Sequence, residues 1–239
     1  MHIDVIASVG EARSDDLIHK TVIVIDVLRA TSTLITALAN GCGAVIPVET
    51  VAQAREIQKS GDLLGGERYC KKIPGFDYGN SPMEMQTKDI IGKRLIMTTT
   101  NGTRGIQKAH KADHILAGAL INGRACAKAA SELSRDLVIL CAGTQDAFSL
   151  EDGLCAGQIV EEFVQSAGST ALEINDLGLA MLGSYRSASS NLEEAMLRCS
   201  NGRRLSKLGF RQDITYCAQL NQTELVPILH AAGMVPYRH

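Results

Sequence analysis

The stretch VIVIDVLRATST, residues 22–33, sets one carboxylate, Asp26, and one guanidinium, Arg29, between a β-branched apolar run and a cluster of hydroxyls. Three later stretches have the same character. LGGERYC supplies Glu67 and Arg68, TTTNGTR supplies Asn101, Gly102, Thr103 and Arg104, and LCAGTQDAFSLED supplies Glu151 and Asp152. Carboxylates with few neutral ligands suit a hard cation such as Mg²⁺. Arginines and the free N–H groups of a helix start suit phosphate or carboxylate. A divalent cation beside an anion pocket is the equipment of phosphoryl chemistry.

Each residue also has a plain structural explanation. Asp26 caps a turn, and Thr31 or Ser32 caps the following helix. Asp152 stands three residues after Ser149 and completes a capping box, while Glu151 compensates the helix dipole. Asn101-Gly102 is an ordinary turn, and Arg68 with Lys71 and Lys72 is a solvated charge run. What favours chemistry is joint position, because all four stretches follow predicted strands. Other constellations fail. His110 and His114 have metal-pair spacing, but His114 enters a predicted strand. The sixth residue after Cys141 is Ala147, not the arginine of a cysteine-phosphatase loop, and the second after Asp26 is Leu28, so no DxD motif is present. There is no GxSxG, no P-loop and no GxGxxG after a strand.

The elements that must position these residues alternate. Strands are predicted over 2–7, 22–25, 44–48, 63–66, 95–98, 114–117 and 137–141, with 213–217 and 225–230 as two more. Pro47 puts its strand at an edge or ends it early. Helices are predicted from about residue 31 to 39, after a Thr50–Gln53 capping box, over 103–111, from Asn122 to about 134, from Ser149 onward, and over 177–185, 192–199 and 203–208. Residues 69–86 have no period and form a long loop, a common place for function. The fold class expected is α/β, a three-layer α/β/α sandwich around a mainly parallel or mixed sheet. If the strands are parallel neighbours, their polar ends share one edge and one crevice.

Length and composition frame the rest. The 239 residues, 45% of them hydrophobic, suffice for a single domain over 1–239. A net charge of −2 disfavours a sequence-independent nucleic-acid binder. Seven scattered cysteines without CxxC, no signal-like N-terminus and no apolar run of ~20 residues lead to the expectation of a cytoplasmic protein with reduced thiols and no membrane partner. A homodimer is left open.

The same stretches carry a family resemblance. VIVIDVLRATSTLITALANG, LLGGERYCKKIPGFDYGNSPMEM, TTTNGTRGI, the CAG of LCAGTQDAFSLEDGLCAG, and SNGRRLSKLGFRQDITYCA span residues 22–218 in order. They resemble 2-phosphosulfolactate phosphatase, the ComB-like proteins. The resemblance implies a Mg²⁺-dependent phosphatase of α/β/α fold. Its substrate would be 2-phospho-3-sulfolactate, hydrolysed to sulfolactate and phosphate, an early step of coenzyme M synthesis where that pathway exists. The alternative is a phosphatase or binding protein for another small phosphorylated carboxylic acid. From residue chemistry we assign Asp26, Glu67 and Asp152 to Mg²⁺, with Glu151 the alternate ligand. Arg29, the backbone and hydroxyls around Thr31 and Ser32, and Asn101, Gly102 and Thr103 are assigned to the phosphate. Arg68, Lys72, Asn80 and Arg104 are the candidates for the carboxylate and sulfonate. Asp26 and Arg29 form the catalytic pair, with either water or Asp26 attacking phosphorus.

Overall fold

In a computed structural model describing residues 1–166, 171–231 and 233–238, the strands are β1 (His2–Ile6), β2 (Thr21–Ile25), β3 (Ala44–Val48), β4 (Leu63–Arg68), β5 (Lys71–Lys72), β6 (Arg94–Thr98), β7 (His114–Gly118), β8 (Leu137–Cys141), β9 (Glu173–Ile174), β10 (Pro227–His230) and β11 (Gly233–Pro236). The helices are α1 (Ala30–Ala39), α2 (Val51–Ile57), α3 (Gly102–Lys108), α4 (Gly123–Glu132), α5 (Leu150–Ser166), α6 (Asp176–Ala188), α7 (Leu192–Arg198), α8 (Ser200–Lys207) and α9 (Arg211–Cys217). The capping box at Thr50 is present with both of its hydrogen bonds.

The strands form one mixed sheet in the order β5-β4-β6-β3-β11-β10-β7-β2-β8-β1-β9. Helices cover both faces, so the architecture is the expected α/β/α sandwich. Alternation along the central strands feeds two cores. Ile23, Ile25, Leu137 and Ile139 pack towards α4, α5, α7 and α9. Val22, Val24, Val138 and Leu140 pack towards α1 and α3.

The expectation of parallel neighbours holds within each half of the sheet and fails between them. β7, β2, β8, β1 and β9 are mutually parallel, and so are β4, β6 and β3. The β10–β11 hairpin joins the halves by antiparallel pairing at both sides, one registered pair each, Ile228 with Leu116 and Met234 with Val45. The two parallel groups therefore run in opposite senses. Their carboxyl ends still meet because the sheet is strongly curved. In a flat sheet β2 and β3, four strands apart, would be separated by about 19 Å. Yet α3, only about 10 Å long, packs against both. Accumulated twist of roughly 20–25° per strand brings the oppositely running ends together at a corner.

Two local expectations are corrected. Residues 213–217 are not a strand. Asp213, Ile214 and Cys217 are the buried face of α9, at i, i+1 and i+4, which is helical spacing. β3 is an interior strand, not an edge. It tolerates Pro47 because its pairing with β11 is confined to Val45, leaving the missing N–H outside the ladder.

Candidate active site

Asp26 follows the last residue of β2 and is buried. Its Oδ1 accepts the Ala30 N–H at 3.1 Å, and the Gly102 N–H also donates to it. One carboxylate thus lies against the first turns of both α1 and α3. Gly102 is required for that approach, because a Cβ there would lie 2.5 Å from the Ala30 Cβ and 2.8 Å from the Asp26 Oδ2. Burial pushes the Asp26 carboxyl up to about 7, against the two backbone donors, and the charges of Glu67 and Glu151 push the same way.

Glu67, near the end of β4, is held by three donors. Its Oε1 accepts from the Thr100 N–H at 3.0 Å and the Thr100 hydroxyl at 2.8 Å, and its Oε2 accepts the Cys70 N–H at 2.7 Å. Asp152, in the first turn of α5, accepts the Val27 N–H at 2.9 Å and the Gly143 N–H at 3.1 Å. It clamps the turns after β2 and β8 together and makes no capping box with Ser149. Burial first, then the charges of Glu151 and Asp26, hold Asp152 well above the usual carboxylate range. Glu151 accepts from the Asn201 Nδ2 at 2.7 Å.

Among the described residues none of these four carboxylates is ion-paired. Buried, uncompensated oxygen ligands with neutral partners fit a hard divalent cation. No three His, Cys, Asp or Glu among the described residues are already gathered around one ion position. The set therefore suits an ion that keeps water and takes one or two carboxylates plus substrate oxygens, the habit of Mg²⁺, and not an all-protein cage.

The pocket above the acids is lined by Asp26, Arg29, Glu67, Asn80, Thr100, Asn101, Thr144, Gln145, Asn201 and Arg204, with Tyr69 and Cys70 at its hairpin wall. Arg29 is buried. Its Nη1 donates to the Asp213 Oδ2 at 2.5 Å, its Nη2 to the Cys70 carbonyl at 3.4 Å, and its guanidinium lies 4.3 Å from the Phe210 ring centroid. The other Asp213 oxygen accepts from the Ser81 hydroxyl at 2.7 Å. α9 therefore ties the turn after β2 to the long 69–86 loop.

A scan against family models matches residues 7–232 to 2-phosphosulpholactate phosphatase. The chain belongs to this family. Among the curated relatives of this phosphatase family, one from Clostridium novyi is 41% identical over 96% of this chain and 97% of its own. Another from Caldanaerobacter subterraneus is 43% identical over 90% and 89%. A third from Symbiobacterium thermophilum is 38% identical over 93% and 96%. All three are named "Probable 2-phosphosulfolactate phosphatase". Membership in the 2-phosphosulpholactate phosphatase family puts the chain among phosphoric monoester hydrolases.

Against that family chemistry, the residues read from sequence divide. Asp26, Arg29, Glu67, Asn80 and Asn101 line the pocket; Glu151 lies beneath it, bonded to the lining Asn201, and Asp152 beside it, bonded to the Val27 N–H next to Asp26. The hydroxyls expected to hold phosphate are engaged elsewhere. Thr31 donates to the Asp26 carbonyl at 2.9 Å, Ser32 to the Val27 carbonyl at 2.8 Å, and Thr103 to the Thr99 carbonyl at 3.1 Å. They build the turns and do not line the pocket. Arg68 donates to the Glu67 and Glu49 carbonyls and to Thr98, because the residue after Glu67 in a strand points to the opposite face. Arg104 is exposed and pairs with Asp146 at 3.3 Å. It lies two residues past Gly102, about 200° around α3. Lys72 is exposed on β5 and donates to the Asp77 carbonyl. Sequence reading missed Asp213, Ser81, Asn201 and Arg204. All but Ser81 fall in the SNGRRLSKLGFRQDITYCA stretch, whose density of polar residues was the available signal.

Proposed function

We propose that this protein is a Mg²⁺-dependent phosphatase that hydrolyses 2-phospho-3-sulfolactate to 3-sulfolactate and inorganic phosphate, the reaction used early in coenzyme M synthesis. The observation that carries the proposal is the set of four un-ion-paired carboxylates, Asp26, Glu67, Glu151 and Asp152, beneath a pocket walled by Arg29 and neutral donors. One or two of Asp26, Glu67 and Asp152, with Glu151 the alternate, would hold the cation, and water and substrate oxygens would complete its shell. When bound, Mg²⁺ supplies charge neutralisation and polarises a phosphoryl oxygen. Arg29 keeps further N–H groups for the phosphoryl oxygens while Asp213 and Cys70 fix its plane. Thr100, Asn101, Thr144 and Gln145 offer neutral groups around the same space.

The test is phosphate release from 2-phospho-3-sulfolactate by the full chain, with Mg²⁺ and with EDTA, beside a Mg²⁺ titration followed by thermal unfolding. The expected outcome is activity that vanishes in EDTA and returns with Mg²⁺, and a melting temperature that rises with Mg²⁺ as native-state binding requires. Undiminished turnover in EDTA removes the metal from the proposal.

A further inference from the structure

We infer that Arg204 is the specificity-determining residue for the acidic group that a substrate carries beside its phosphate ester; this rests on the phosphatase reading above. The arginines near the acids are otherwise committed. Arg29 is locked by Asp213, Arg68 by backbone carbonyls, and Arg104 by Asp146 on the surface. Arg204 lines the pocket and, among the described residues, its guanidinium has no hydrogen-bond or ion-pair partner.

Its placement follows from α8. Asn201 donates at 2.7 Å to both the Thr144 hydroxyl and Glu151, which turns one face of α8 towards the acidic base of the pocket. Arg204 is three residues on, so it shares that face about 4.5 Å farther along the axis. Lys207 continues the row. Beyond Arg204 the pocket opens into a groove lined by Tyr69, Lys71, Arg203, Arg204 and Lys207. The opposite wall is the β4–β5 hairpin tip, whose Tyr69 and Cys70 have φ of 56° and 65° and whose Cys70 carbonyl is held by Arg29. Carboxylates thus lie at the base and unpaired positive charge at the mouth. A ligand with its phosphoryl group at the base and a second anion a few bonds outward matches both ends. The guanidinium fork takes two oxygens of a planar carboxylate or of a tetrahedral sulfonate. The substrate class is therefore the phosphate ester of a hydroxy acid bearing such a group, and Arg204 grips that group.

The experiment is steady-state kinetics with Mg²⁺ for wild type, Arg204→Gln and Arg204→Lys. Three esters are used: 2-phospho-3-sulfolactate, 2-phospholactate, and phenyl phosphate, which has no second acid. Arg204 is exposed, so melting should barely move, and melting curves verify this. For the sulfonated ester, Arg204→Gln should raise KM about tenfold or more while kcat falls less than about threefold. Arg204→Lys should recover part of the loss, and the loss on phenyl phosphate should stay within about threefold. A loss shared by both acid esters assigns the carboxylate to Arg204, and a loss confined to the sulfonated ester assigns the sulfonate. Equal losses on all three esters, or none on any, overturn the inference. Calorimetric binding of 3-sulfolactate, expected to weaken about tenfold in Arg204→Gln, is read separately. If wild type releases no phosphate from any ester, the phosphatase reading falls, and this binding measurement still decides Arg204.

Discussion

Arg29 and Asp152 illustrate how one side chain serves both site and fold. Arg29→Lys keeps a charge opposite Asp213 but loses the planar fork that also reaches Cys70 and stacks on Phe210. We expect kcat in the folded protein to fall about tenfold or more, the scale of losing one oriented donor, together with a lower melting temperature. Unchanged kcat with lowered melting would make Arg29 purely structural. Asp152→Ala leaves the buried Val27 and Gly143 N–H groups without acceptors. Each unsatisfied donor costs about 1–3 kcal/mol, so urea unfolding should show a loss well beyond the ~1 kcal/mol of a missing helix cap. Asp26 was legible in sequence because an acid directly after a buried strand has few other places to go. Asp213 was not, because nothing local to RQDITYC says that its carboxylate meets an arginine 184 residues earlier.

The turns after β2 and β6 meet through the first turns of α1 and α3, and Gly102 is the contact point. Gly102→Ala would force a Cβ to within 2.5 Å of Ala30, so α3 must shift away from α1. The expected cost is about 1–3 kcal/mol, as for overpacking a tight core, with activity reduced because Asp26 loses its second helix N–H. Adding Ala30→Gly should restore part of the stability, read from the urea midpoint, and no recovery would place the strain elsewhere. Most elements could be read from periodicity, including the β2–α1 turn and the Thr50 capping box. α9 was misread as a strand because Ile214, Thr215 and Tyr216 have strand propensity, and the helical spacing of its buried face shows only once the segment is packed. The same limit hid Arg204, since which face of α8 looks at the pocket depends on where α8 packs.

The molecule as a whole carries seven free thiols, six of them buried. Burial pushes the Cys217 thiol up to about 12, and raises Cys126, Cys141, Cys155 and Cys199 as well. An unfolded thiol ionises near pH 8.5. Above that pH the unfolded chain holds fewer protons than the native one, so stability is fully present below about pH 8.5 and falls as pH rises towards the native values. Each such thiol steepens the fall by up to about 1.4 kcal/mol per pH unit. Urea midpoints between pH 8 and 10.5 under reducing conditions should drop steeply, and Cys217→Ala should flatten the drop by one thiol's share. A flat profile would refute the assignment.

The β10–β11 hairpin, which joins the two oppositely running halves of the sheet, comes after all of the elements it unites. A ribosome therefore delivers both halves before it delivers their bridge. Until residues 227–236 emerge, β3 is paired only with β6 and β7 only with β2, each presenting a bare strand edge of the kind that recruits other nascent chains. Residues 227–236 are what turn two bare-edged half-sheets into one.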